Sequence, residues 1–73
     1  MESILIPIRL NGAPAQVPAG TLDVLLAHRG VAADATAAVA VAQNGSVVPR
    51  RQWSATAVQP GDEVEIVTAL QGG

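Results

Sequence analysis

The sequence has no cysteine, no lysine, no tyrosine and no phenylalanine. Each absence removes a class of chemistry. Without cysteine there is no disulfide, thiolate metal site, iron–sulfur cluster or thiol nucleophile. The single histidine, His28, excludes histidine-rich metal sites and paired imidazoles. All four cations are arginine (Arg9, Arg29, Arg50 and Arg51), and the formal net charge is −2. No basic stripe exists to displace counterions from a phosphate backbone, so no nucleic acid partner is expected. The missing lysine means that no isopeptide chain can be built on this protein. No apolar run approaches the roughly 20 residues of a membrane span. The opening "MESILIPIRL" has no cationic region ahead of its apolar residues and does not read as a signal peptide. The expectation is a soluble, cytoplasmic protein, monomeric when free and away from membranes.

At 73 residues the chain is long enough for one domain. A chain of this size buries only about 60% of its unfolded surface. That leaves little room for a deep pocket beside a core, which weighs against a self-contained enzyme.

What is present is strongly patterned. Ile4, Ile6, Ile8 and Leu10 share one phase and Ser3, Leu5, Pro7 and Arg9 the other, the period of a half-buried strand. Asn11-Gly12 favours the tight primed turn of a hairpin. The return strand runs from Ala13 to Pro18, and its two prolines, lacking a donor N–H, place it at a sheet edge. Thr21 is a good helix N-cap residue. Leu22, Leu25 and Leu26 then fall on one helical face, with His28 and Arg29 in the last turn and Gly30 as the stop. The alanine-rich stretch "VAADATA" is not assigned. Ala38 to Gln43 reads as a strand, Asn44-Gly45 as a second hairpin turn into Val47-Val48, and "PRRQWSATAV" as irregular with one helical turn. Pro60-Gly61-Asp62 is a turn, and Glu63 to Thr68 is the last strand. The pattern shows no internal repeat. It predicts a two-layer α+β domain over residues 1–68, a sheet with one principal helix on one face. If the last strand pairs in parallel with the first at the centre of the sheet, the fold is the β-grasp, or ubiquitin-like, fold.

Few residues offer chemistry. His28 reads as a solvated histidine at a helix end, since a general base needs a partner within reach. Asp62, Glu63 and Glu65 are close in sequence, and Glu63 and Glu65 share a strand face where they can bind a cation or act as paired carboxylates; the cluster can equally be a solvated acidic face or a docking surface for a basic partner. Trp53, the only aromatic residue, is expected to anchor the irregular segment. The outward phase leaves Leu5 and Val67 facing solvent beside Glu63 and Glu65. With β-grasp pairing expected to make the two apolar residues neighbours, these four residues form a predicted docking patch at the root of the tail.

The tail is the remaining feature. The sequence given ends "ALQGG", with Leu70, Gln71, Gly72 and Gly73 following the last strand and Ala69. Glycine adds no packing to a fold. Two terminal glycines instead let a chain thread a narrow slot, with no Cβ beside the carbonyl. The five tail residues reach at most roughly 16–18 Å. A free α-carboxylate is ionised at neutral pH and is a poor electrophile until activated, for example as an acyl-adenylate.

These elements resemble the ThiS-type sulfur carriers of thiamine biosynthesis. "VPRRQW" (Val48 to Trp53) is similar to the family's Val-Pro-Arg…Trp block, and "PGDEVEIVTALQGG" (Pro60 to Gly73) to its Gly-Asp…strand…Gly-Gly ending. The Asn-Gly before "VVPR" and the "TLDVLL" helix fit as well. The N-terminal extension and the alanine-rich stretch are less typical. The resemblance implies a carrier rather than an enzyme, with no metal or cofactor of its own. An adenylating enzyme of the ThiF type would use ATP and Mg²⁺ to activate the Gly73 carboxylate. A persulfide donor or sulfurtransferase would supply sulfur to form a terminal thiocarboxylate, and thiazole synthase would receive it. Leu70, Gln71 and Gly72 would thread the partner's active site. The Gly-Asp and Gly-Gly elements are shared with the small subunits of molybdopterin synthase, so another sulfur pathway stays open. A ubiquitin-like modifier and an interaction module with an inert tail stay open too.

Overall fold

The computed structural model describes residues 4–31 and 38–68. Seven strands and two helical segments make up this part of the chain. Strands β1 (Leu5–Leu10) and β2 (Ala13–Pro18) form the first hairpin, paired from Leu5 with Pro18 to Leu10 with Ala13. Asn11 and Gly12 close it with φ of 52° and 83°, the left-handed values that a primed turn requires. Strand β3 (Gly20–Thr21) leads into helix α1 (Leu22–His28). Strands β4 (Val39–Gln43) and β5 (Ser46–Val48) form the second hairpin through Asn44-Gly45. A 3-10 helix follows (Arg50–Ala55), then β6 (Ala57–Val58) and β7 (Glu63–Thr68).

The main sheet has the order β2-β1-β7-β4-β5. β7 is its centre, parallel to β1 and antiparallel to β4. β2, with its two prolines, lies at the edge, as expected. The last strand therefore joins the first at the middle of a mixed sheet, which is the β-grasp arrangement predicted from the alternation.

One face of the sheet carries the core. Ile6, Ile8, Leu10, Val17, Val41 and Val64 meet Leu22, Leu25 and Leu26 of α1, with Trp53 and Val58 completing the cluster. Burying each such side chain stabilises the fold by about 1.5–3 kcal/mol. Ile4 does not join them. It is 74% exposed, one residue ahead of the first β1–β2 pair, where the Ala19 N–H bonds the Ile4 carbonyl at 2.7 Å. Helix α1 has seven residues and is about 10 Å long, too short to shield both ends of the sheet.

The helix ends differ in how they follow the sequence. At the C-terminus, Gly30 (φ 86°) donates to the Ala27 carbonyl at 3.1 Å and Val31 to that of Leu26 at 2.9 Å. These are the paired bonds of a Schellman stop. At the N-terminus Thr21 holds the cap position, but its side chain caps no N–H. Its hydroxyl donates instead to Asp23, whose Oδ1 accepts the Val24 N–H at 3.0 Å. The carboxylate is the better acceptor and takes over the capping.

The irregular segment is more ordered than its sequence suggests. Trp53 is buried, and its indole Nε1–H donates to the Val48 carbonyl at 2.8 Å. This pins the 3-10 helix to the end of β5, beside α1 and β3. Beyond it, β6 pairs with β3 in a two-stranded sheet that no sequence period announced.

Candidate functional site

The central strand β7 is held differently at its two ends. Its start is a hub built on Asp62. The turn before it needs Gly61 at φ 86°, and the Gly61 N–H bonds the Pro7 carbonyl at 2.8 Å. Asp62 Oδ2 accepts from the Gln59 N–H and from Gln43 Nε2, each at 2.8 Å, and Oδ1 accepts from Asn44 Nδ2 at 3.0 Å. Gln43 Nε2 also donates to the Ala57 carbonyl at 3.0 Å. Asn44 Oδ1 takes the Glu63 N–H at 2.9 Å. Burial pushes the Asp62 carboxyl up, but the hydrogen bonds from Gln59, Asn44 and Gln43 outweigh it and hold the group below its ordinary 3.8. Asp62 thus ties the second hairpin turn to the start of the last strand.

Asp62 is thereby engaged within the fold. Its oxygens are occupied by fold-internal donors. Among the described residues no group of three or more histidines or acidic residues converges as a metal site, and no buried side-chain polar atom lacks a partner. His28 is exposed at the end of α1.

The other end of β7 leads to the tail. Thr68 pairs with Val39 on the β4 side. On the β1 side, Asn11 N–H bonds the Val64 carbonyl at 2.9 Å, and Asn11 Oδ1 accepts the Ile66 N–H at 2.8 Å. A groove of about 450 Å³ opens here on the helix side, lined by Leu10, Asn11, Ala13, Arg29, Val31, Ile66 and Thr68. Leu70, Gln71, Gly72 and Gly73 lie outside the described residues.

The predicted docking patch is partly brought together. Glu63, Glu65 and Val67 alternate outward on β7 and are exposed, Val67 at 61%. Leu5 is 54% exposed on the same face of the sheet but is not a neighbour of Val67. Parallel pairing matches Arg9 with Glu63, so Leu5 lies four residues before that pair and Val67 four after it. Eight strand residues separate them along the sheet, about 26 Å. The two strands run parallel but staggered, with the end of β1 beside the start of β7, and that is why the expected contact fails. The neighbour of Val67 comes from β4 instead, and β5 adds to the row of Glu65. Val67 pairs with Ala40, and Glu65 with Ala42, which pairs with Val47. Val47 is 75% exposed. The sequence signal for these was the opposite phase to Val41 and Val48, but only the β4–β7 register joins them to Val67.

Among the described residues no helix is long and apolar enough to cross a membrane. The ThiS family model matches residues 8–73. Among solved structures, the crystal structure of the thiamine biosynthesis protein ThiS from Geobacter metallireducens superposes with a TM-score of 0.77 at 32% sequence identity. The match covers 93% of this chain and 100% of that one. Among curated proteins, none matches the chain with significance.

Proposed function

The chain belongs to the ThiS family, and from that premise we propose that it is a sulfur carrier for thiamine biosynthesis, loaded on the carboxylate of Gly73. The supporting observation is that the family match runs through the tail to the last residue. In sequence the tail follows directly from the central strand of the sheet, which is held on the β4 side to Thr68 and on the β1 side to Ile66. Residues 1–68 then act as the body that a partner grips and 69–73 as the reactive arm.

The chemistry is that of a carboxylate made electrophilic. In a ThiF-type partner, with ATP and Mg²⁺ bound there, a Gly73 carboxylate oxygen attacks the α-phosphorus and displaces pyrophosphate. The terminal sulfur of a persulfide attacks the acyl carbon of the adenylate and displaces AMP, leaving an acyl persulfide. A thiol breaks its S–S bond, is itself oxidised to the disulfide, and leaves the thiocarboxylate for thiazole synthase. This chain has no cysteine to carry sulfur elsewhere. It acts as a cytoplasmic carrier whose contribution is position, not catalysis.

The partner docks on the sheet face away from α1. Val67 with its partner Ala40, and Ala42 with its partner Val47, form an apolar patch there, with Glu65 beside Ala42 and the end of β7 at its edge. Leu5 is not part of it.

Removing Gly73, or adding one residue after it, tests the reading. Stability should stay nearly unchanged, because an unpacked terminus contributes little. ATP–pyrophosphate exchange by the cognate activating enzyme should disappear, because the carbonyl is displaced from the α-phosphorus. Wild-type exchange by either variant would rule the reading out.

A further inference from the structure

The geometry points to Asn11 as a positioning residue for the C-terminal arm. Its side-chain carbonyl replaces a backbone carbonyl that the hairpin turn removes from the sheet. This inference rests on the arm being the reactive element, as argued above.

The parallel pairing of β1 with β7 is short, with Arg9 opposite Glu63 and Leu10 opposite Val64. Its hydrogen bonds run from Arg9 N–H to the Asp62 carbonyl and from Asn11 N–H to that of Val64, each at 2.9 Å. In a continuing parallel ladder the next β7 donor, Ile66 N–H, would bond the Asn11 carbonyl. Asn11 cannot supply it, because at φ 52° it is the first residue of the turn and its backbone has left the strand direction. Its Oδ1 takes the bond instead, at 2.8 Å across 55 residues of sequence. The ladder is thereby extended to Ile66, two residues short of the end of β7. On the opposite edge β4 holds β7 to Thr68.

The turn alone does not call for this side chain. Gly-Gly suits a primed turn as Asn-Gly does. Asparagine and aspartate satisfy both demands, the left-handed backbone and an acceptor reaching Ile66. Without the acceptor, the Ile66 N–H would have lost its partner on the β1 side and would be left to water.

The consequence concerns binding. The arm reaches at most roughly 16–18 Å beyond the body, so the direction in which it leaves decides how much ordering remains for the partner. A root fixed in advance lessens that cost on association. Once the arm is seated, the partner holds it, and the chemical step no longer depends on Asn11.

Asn11→Gly separates the bond from the turn, and Asn11→Asp restores the acceptor. In ATP–pyrophosphate exchange with the cognate ThiF-type enzyme, Asn11→Gly should raise KM for the carrier roughly two- to tenfold, the equivalent of one hydrogen bond. Its kcat should be unchanged, and Asn11→Asp should return KM to near the wild-type value. Hydrogen exchange on the free carrier should show faster exchange of the Ile66 amide in Asn11→Gly only, with the β1–β2 amides still protected. An unchanged KM while Gly73 remains essential, a fall in kcat in place of the KM effect, or an unchanged Ile66 amide would each overturn the proposal. Exchange that no longer requires Gly73 would overturn the carrier reading instead, and the Ile66 amide would still report whether Asn11 holds the strand.

Discussion

Asn11-Gly12 and Asn44-Gly45 are the same dipeptide in the same conformation. Their φ values are 52° and 83° in the first turn and 53° and 85° in the second. Both close hairpins, and both asparagines reach across to β7, at opposite ends of it. Asn44 uses both side-chain atoms, donating to Asp62 and accepting from Glu63. It belongs to a hub where Asp62, Gln43 and Gln59 hold one another. Asn11 reaches β7 through one acceptor, to Ile66. The turn chemistry is thus local, while the use of the side chain is tertiary. One end of the central strand is tied for stability. The other is held lightly, where the arm departs.

The hub end should break hardest. Asp62→Ala removes three hydrogen bonds to an ionised acceptor and leaves Gln43, Asn44 and the Gln59 N–H without it. Allowing for partial exposure, the loss should be about 2–4 kcal/mol in denaturant unfolding. Its pH dependence follows from the depressed carboxyl pKa. The unfolded group titrates near 3.8 and the folded group lower. The charged form is therefore favoured by folding, and its contribution is complete well above pH 3.8. It is lost as the pH falls from there through the folded pKa. The stability gap between wild type and Asp62→Asn should accordingly narrow below about pH 4. A gap that widens on acidification would mean that the carboxylate is not stabilised by its partners.

The asparagines sharpen the contrast by an identical change. Asn44→Asp turns a donor aimed at Asp62 into a second carboxylate facing it, whereas Asn11→Asp keeps the acceptor that Ile66 uses. At neutral pH the first should cost about 1–3 kcal/mol and the second under about 0.5. Equal melting temperatures for the two variants would erase the distinction between the ends.

Much of this fold was legible in the sequence because its signals are local. The alternation from Ile6 to Leu10, the Asn-Gly turns, the leucine stripe of α1 and the Gly30 stop each depend on a few adjacent residues. What was not legible depends on register. The two-residue strands β3 and β6 are too short to show a period. Ile4 continues the alternation of β1, yet no helix covers it. The separation of Leu5 from Val67 follows from matching Arg9 with Glu63, which no pattern in either strand encodes. The same holds for Asn11 and Ile66. Their bond joins a turn to a strand 55 residues away, which no local pattern links. Of the candidate site, the glycine-ended arm could be named from the sequence, while the sulfur chemistry proposed for it comes from the family resemblance and not from composition. The neighbour of Val67 was not legible, because Ala40 reaches it only through the β4–β7 register.

The smallest effect on stability is expected on the outer face near the root of the arm. Val67 is largely exposed and pairs with the small side chain of Ala40. Val67→Asp removes little buried area, but it adds a third carboxylate to a strand face already holding Glu63 and Glu65. The unfolding free energy should change by about 0.5–1 kcal/mol, from lost strand propensity and like-charge repulsion. Binding should respond more. An apolar stripe that is desolvated in a complex does not tolerate a new charge without a partner, and affinity for the activating enzyme should fall about tenfold or more. Leu5→Asp, on the same face but about 26 Å away, is the control and should leave affinity unchanged. Titration of labelled carrier against the activating enzyme measures both. If Leu5→Asp weakens binding as much as Val67→Asp does, the partner covers the β1 end of the sheet as well. If neither does, it grips some other surface and only the arm connects the two proteins.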